Sequence, residues 1–161
     1  MITIKDLTVK NFMSVGNVTQ AVRFTDNGLT LVLGNNVDLG GDGSRNGTGK
    51  TTIINALSYV IYGNALTNIR KDNLINKTNG KSMMVTLDFE IDGKKYRIER
   101  GRKPNVLKYY VNEQNVDEDE AQGENRQTQT DIEKLFGMSH DMFKHIVALN
   151  TYTEPFLSMK A

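Results

Sequence analysis

Cysteine is absent from this 161-residue chain. Disulfide frameworks and thiolate-held metals are thereby excluded, and the composition suits a reducing cytoplasm. Long hydrophobic runs are absent too: no stretch approaches the roughly 20 apolar residues that cross a bilayer as a helix. A secretory leader is also missing, because "MITIKDLTVKNF" alternates apolar and polar residues and carries charge within its first positions. Nor is there an excess of one charge. Lys and Arg number 20 against 19 Asp and Glu, so any nucleic-acid affinity must come from a local patch. These absences leave a soluble, cytoplasmic, mixed α/β domain with no membrane partner. A chain of this length suits one domain, which buries roughly two thirds of its unfolded surface.

What is present begins with alternation. Ile2, Ile4, Leu7 and Val9 form an apolar stripe whose phase slips near Asp6, the signature of a strand with a bulge. Val18 to Phe24 is a candidate second strand, Asp26 to Gly28 a turn, and "LTLVL" (Leu29 to Leu33) a short apolar run of the kind a fully buried strand needs. Ile53, Ile54, Leu57, Val60 and Ile61 then recur at helical spacing up to Gly63. Within residues 82–112, "VTLDFEIDGKKYRIER" places Val85, Leu87, Phe89 and Ile91 on one face and continues it with Tyr96 and Ile98. Asp92-Gly93 supplies the positive-φ pair of a tight hairpin turn, and "VLKYYVN" is expected as a third antiparallel strand. Residues 113–129 are polar and read as an exposed loop. "TQTDIEKLFG" predicts a short helix capped by Thr128 or Thr130 and ended by Gly137; "SHDMFKHIVALN" predicts another with Ser139 at its N-cap.

The chemistry concentrates in residues 34–52. A phosphate-binding loop needs a buried strand, glycines that let backbone N–H groups converge, and a helix beginning at once so that its dipole faces the anion. "LTLVL", "NGTG" and "KTTIINALSYVIYG" stand in that order. Asn46, Gly47, Thr48 and Gly49 would form the cradle, Lys50 would reach the β and γ phosphates, Thr51 would offer a hydroxyl to Mg²⁺, and Thr52 would lie near the α phosphate. The usual first glycine is replaced by Ser44; alternatively Gly34, at the strand end, fills that role and Asn35 to Arg45 project outward. The second arrangement fits better, because the tight turn belongs where the strand ends. Asp38 and Asp42 would repel phosphate, so this excursion is expected to point away or fold over as a lid; their spacing fits calcium loops poorly.

Two antiparallel strands before the loop and an antiparallel insertion after it resemble the ATPase heads of the ABC and SMC class. "TVKNFMSVGN", "NGTGKTTIINALSYVIYG", "KYRIERGRKPN" and "GMSHDMFKHIVALNTYTEPF" are similar to the N-terminal head segment of the SbcC-like ATPase subunits of recombination exonucleases, those of T-even-type phages included. The resemblance implies a P-loop NTPase lobe of α/β class, ATP and Mg²⁺ as cofactors, and dimerisation with a second head on ATP binding. It further implies a nuclease subunit and double-stranded DNA as partners, with the host cytoplasm as location if a phage encodes it. Asn150, within the Q-loop-like residues 146–157, falls where relatives carry a glutamine that senses Mg²⁺ and the γ phosphate. Met13 falls where many carry an arginine, and methionine cannot replace a cation. The family's signature motif, acidic Walker B strand and switch histidine would come from the C-terminal half of the same head. This chain alone is therefore expected to bind nucleotide weakly and hydrolyse it negligibly.

Other features carry competing readings. Lys94, Lys95, Arg97, Arg100, Arg102, Lys103 and Lys108 could contact a DNA backbone, but without interleaved aromatics a solvated sheet face is favoured. His140 and His145, five apart, read as surface or packing residues, and Met83, Met84, Met138, Met142 and Met159 as core or interface filler. Tyr109-Tyr110 reads as strand packing. A small-molecule kinase and a non-hydrolysing DNA-binding module remain the alternative functions.

Overall fold

The computed structural model describes residues 1–24, 28–35, 49–116 and 124–149. Its frame is an antiparallel sheet of order β2-β1-β3-β4-β5-β6. The strands are β1 (Ile2–Lys10), β2 (Gln20–Arg23), β3 (Met83–Ile91), β4 (Lys94–Arg102), β5 (Val106–Val111) and the short β6 (Gln114–Asn115). The phase slip in β1 is a bulge: Ile4 pairs with Phe89 and Asp6 with Asp88, so Lys5 is the extra residue. That single insertion turns Leu7 and Val9 onto the face already chosen by Ile2 and Ile4. The β3–β4 turn has Asp92 at φ 48° and Gly93 at φ 83°, the left-handed pair that a two-residue hairpin demands.

Alternation sorts the sheet into two faces. Val85, Leu87, Phe89 and Ile98 are buried, with Tyr109 beside them and stacked on Tyr96 at 6.2 Å. The opposite face is laced by cross-strand ion pairs, Asp6–Arg23 at 2.9 Å and Asp88–Arg97 at 2.7 Å, each between residues in direct register. Such exposed pairs contribute about 0–1 kcal/mol each and mainly keep the face wet.

Three helices follow: α1 (Lys50–Tyr62), α2 (Glu124–Phe136) and α3 (His140–Ile146). The α1 stripe buries Ala56, Leu57, Val60 and Ile61 completely or nearly so. Phe136 of α2 meets Phe89 at 4.9 Å, and Phe143 of α3 meets Tyr62 at 5.3 Å, so the aromatic rings fasten all three helices into one core. Gly63 ends α1 at φ 72° with its N–H bonded to Tyr59 O. Ser139 caps α3 as expected, accepting from Met142 N at 3.2 Å.

Two expectations are corrected. The helix expected from Thr128 starts at Glu124, inside the segment read as loop, and Thr128 and Thr130 are internal to it. Gln129 explains the extension: its side chain reaches Ile61 O, Arg100 and Glu133, so polar residues here serve the α1–α2 contact rather than solvent. The larger correction concerns Leu29 to Leu33, which form no strand. Leu29, Leu31, Val32 and Leu33 are exposed by 104%, 80%, 53% and 63%. A central strand is held by pairing along both edges, and among the described residues every strand belongs to the antiparallel sheet and none pairs with this run. The Asp26 end of the expected turn lies outside the described residues.

Candidate functional site at the start of helix α1

Helix α1 begins behind a glycine, whose missing side chain cannot close the helix N-terminus. Gly49 is the N-cap residue at φ 84°, it offers no side-chain cap, and the first turn carries no acid. Thr52 N–H donates to Gly49 O at 3.0 Å, and the positive end of the macrodipole favours an anion at this start. Gly49 is required twice over. Its left-handed backbone suits glycine, and a Cβ would lie 3.0 Å from Ser14 Oγ.

Ser14 is the residue that sequence reasoning passed over. Its hydroxyl meets Thr52 Oγ1 at 2.9 Å, joining the loop after β1 to the first turn of α1. That loop is itself tightly held. Asn11 and Met13 adopt φ 51° and 49°, Met13 N donates to Leu74 O at 2.7 Å, and Asn76 Nδ2 donates to Met13 O at 3.0 Å. Asn11 is buried and accepts from Asn79 Nδ2 at 2.8 Å. The only sequence signal for this brace is the polarity of "KNFMS", which by itself does not name a partner. Beside it a groove of about 370 Å³ runs between Ser14, Val15, Gln20, Val22, Gly49 and Ile53.

Of the expected site residues, Gly49, Lys50, Thr51 and Thr52 are brought together at the helix start. Thr51 is exposed and open to a ligand, whereas Thr52 is buried with its hydroxyl turned to Ser14. Gly34 is half-buried and outside regular structure. Asn46, Gly47, Thr48 and Asn150 lie outside the described residues, as do Asp38, Asp42 and Met159. A larger concavity of about 570 Å³ lies on the charged face of the sheet, where Lys5, Asp6, Asp88 and Arg97 largely neutralise one another. It lacks a helix terminus, and its lining carries more carboxylates than cations, so the α1 start is the better phosphate site. Among the described residues no His, Cys, Asp and Glu cluster could hold a metal, and no helix is long and apolar enough to cross a membrane.

The remaining singled-out residues have structural roles. His140 Nε2 shares a 2.8 Å hydrogen bond with Ser58 Oγ, and burial with the nearby Lys144 charge pulls its pKa down. His145 Nδ1 bonds Asp141 O within its own helix. Met83 is in the core, whereas Met142 is exposed. In the basic stretch, Arg97 pairs with Asp88 and Arg102 with Asp72 at 2.6 Å. Arg100 closes the far end of α1: Nε donates to Val60 O at 3.0 Å and Nη2 to Ile61 O at 3.3 Å. Burial pulls Arg100 down to about 10, which leaves it cationic at neutral pH, opposite the negative helix end.

Residues 6–160 match the family model described as an AAA domain. The chain belongs to that family. This AAA domain is 38% identical over 152 residues to exonuclease subunit 2 of Enterobacteria phage T4, covering 93% of the chain and 25% of the relative. It is 32% identical over 100 residues to the DNA double-strand break repair Rad50 ATPase of Archaeoglobus fulgidus, covering 62% of the chain and 10% of the relative. The AAA domain thus spans about a quarter of the length of the curated phage relatives it matches. A solved structure from work on ATP-driven dimerization and DNA-stimulated activation of SMC ATPases superposes with TM-score 0.62 at 22% identity, covering 98% of this chain and 92% of that one. The Smc head domain of Pyrococcus furiosus, solved with ScpA's C-terminal domain, gives 0.57 at 23%, covering 88% and 35%. The fold is therefore that of an SMC-type ATPase head lobe, and the resemblance drawn from the motifs is borne out.

Proposed function

We propose that this AAA domain is the ATP-binding N-terminal lobe of an SMC-like ATPase subunit that acts with a nuclease in DNA end processing, recombination and double-strand break repair. The observation that carries the reading is the acid-free start of α1 behind a left-handed Gly49 at its N-cap. The residues present fit a nucleotide polyphosphate: a helix start with no acid in its first turn, no Cβ on Gly49 in the approach, a lysine, and an exposed threonine hydroxyl. Lys50 would balance the β and γ phosphate charge, Thr51 would ligate Mg²⁺, and Asn46, Gly47 and Thr48 would complete the cradle with Gly34 at its outer turn. Thr52 would orient the first turn through Ser14. Asn150 would stand in for the metal-sensing glutamine. When bound, Mg²⁺ and ATP supply the phosphoanhydride whose cleavage times head engagement.

The C-terminal half of the head and a second head would complete the catalytic centre, with double-stranded DNA and the nuclease subunit as further partners in the cytoplasm. The exposed Leu29–Leu33 run supports this: an apolar strand-like sequence that no strand among the described residues pairs with is what a split head would leave bare.

Equilibrium binding of Mg²⁺·ATP to the wild-type chain and to Lys50→Ala tests the assignment. A charge-assisted hydrogen bond to phosphate contributes about 1.5–3 kcal/mol, so affinity should fall about tenfold or more. Unchanged affinity would remove the site and leave a DNA-binding module as the function. Rapid ATP turnover by the isolated chain would contradict the split catalytic centre.

A further inference from the structure

The opposite end of α1 carries a second feature that the nucleotide reading does not use. Between the end of α1, β4, β5 and α2 lies a groove of about 510 Å³ whose lining, among the described residues, includes Lys71, Arg100, Arg102 and Arg126 and no carboxylate. Helix α1 has 13 residues, so at about 1.5 Å per residue this groove sits roughly 20 Å from the Gly49 end. It is a separate place on the molecule.

The four cations are not equally committed. Arg100 is spent on the α1 carbonyls and Gln129, and Arg102 gives its Nε to Asp72. The side-chain heads of Lys71 and Arg126 form no hydrogen bond or ion pair among the described residues. The heads of Lys71 and Arg100 nonetheless crowd one point. A Cβ on Gly63 would lie 3.7 Å from Lys71 Nζ and 2.9 Å from Arg100 Nη1, so the bare glycine is what lets both approach. Burial of its head and the charges of Arg100 and Arg102 hold the Lys71 ammonium below its usual pKa, a repulsion that an anion would relieve. The charged sheet face differs: there Lys5 and Arg97 each meet a carboxylate across the strands.

We propose that this groove binds a phosphate group, with Lys71, Arg102 and Arg126 as its cationic ligands. A tetrahedral dianion suits them better than a carboxylate, because its several oxygens accept a point-like ammonium and planar guanidinium forks at once. Asn105 lines the same groove and adds a neutral amide. The phosphate is carried either by a nucleic-acid strand or by a free small molecule. The inference does not depend on what occupies the start of α1.

Titration of the full chain with inorganic phosphate, followed by side-chain ¹⁵N signals of lysine and arginine, is the test. A parallel titration of Lys50→Ala removes phosphate binding at the α1 start. Saturable shifts at Lys71 and Arg126 in both proteins, with chloride of equal ionic strength giving none, are expected. The Lys71→Met/Arg126→Gln pair should weaken phosphate at least tenfold, while Lys71→Arg, which keeps the charge and controls for folding, should retain it. Absence of saturable shifts, or wild-type affinity in the double variant, overturns the site. Competition by a DNA oligonucleotide with and without a 5′-phosphate distinguishes the sources. Displacement of phosphate by either oligonucleotide assigns the strand, and displacement by neither, with free phosphate bound, assigns the small molecule.

Discussion

Two apolar stretches of similar composition meet opposite fates in this molecule. "VTLDFEI" lies in β3 with Val85, Leu87 and Phe89 sealed from water, while "LTLVL" has Leu29 and Leu31 almost wholly exposed. The difference is where the hydrogen-bonding neighbours come from. The strands β1 and β4 flank β3, the latter joined to it by a two-residue turn, so its edges are satisfied by nearby chain. Leu29 to Leu33 are apolar but for Thr30, a pattern that suits burial on both faces, and no strand among the described residues provides it. Apolar character states a demand for burial; only neighbours can meet it.

Substitutions sharpen that contrast. Phe89→Ala should have the largest effect, since the ring packs on Tyr96 and Phe136 and is 1% exposed. Loss of about 3–5 kcal/mol in urea unfolding is expected. Arg100→Met comes next. It strips Val60 O of its donor at the seam between sheet and helix, and about 1–3 kcal/mol should be lost. Lysine should not restore that loss, because it lacks the fork that spans two carbonyls. Gly63→Ala should cost about 1–2 kcal/mol for the left-handed backbone alone, with Arg100 displaced by the new methyl. Leu31→Ala, in the exposed stretch, should stay within about 0.5 kcal/mol in the isolated chain. If Leu31→Ala proves as damaging as Phe89→Ala, the contrast fails. Amide exchange across residues 29–33 sharpens it further: protection should rise on adding the C-terminal half of the head, whereas β3 amides should hardly change.

The antiparallel sheet was largely legible because its information is local. Period-two alternation, the Asp92-Gly93 turn and even the bulge at Lys5 can be read from adjacent residues. The start and stop of α1 were legible for the same reason, through Gly49, Lys50 and Gly63. Helix α2 was not fully legible, because Gln129 and Thr128 look like loop residues until Ile61 and Arg100 are placed beside them. The Ser14–Thr52 brace and the Arg100 cap join residues 38 and about 40 positions apart. No periodicity encodes such pairings.

From the sequence alone came the strand pattern, the helix that opens with "GKTT", and the family likeness carried by those motifs. Each depends on spacing along the chain, which a sequence displays directly. The tertiary structure decided which apolar run is covered and which stands bare. It also turned the basic stretch into ion pairs and a helix cap, and gathered cations without a carboxylate partner among the described residues at the far end of α1. Burial and charge pairing depend on what the fold brings alongside each residue, and that is set by distance in space rather than along the chain.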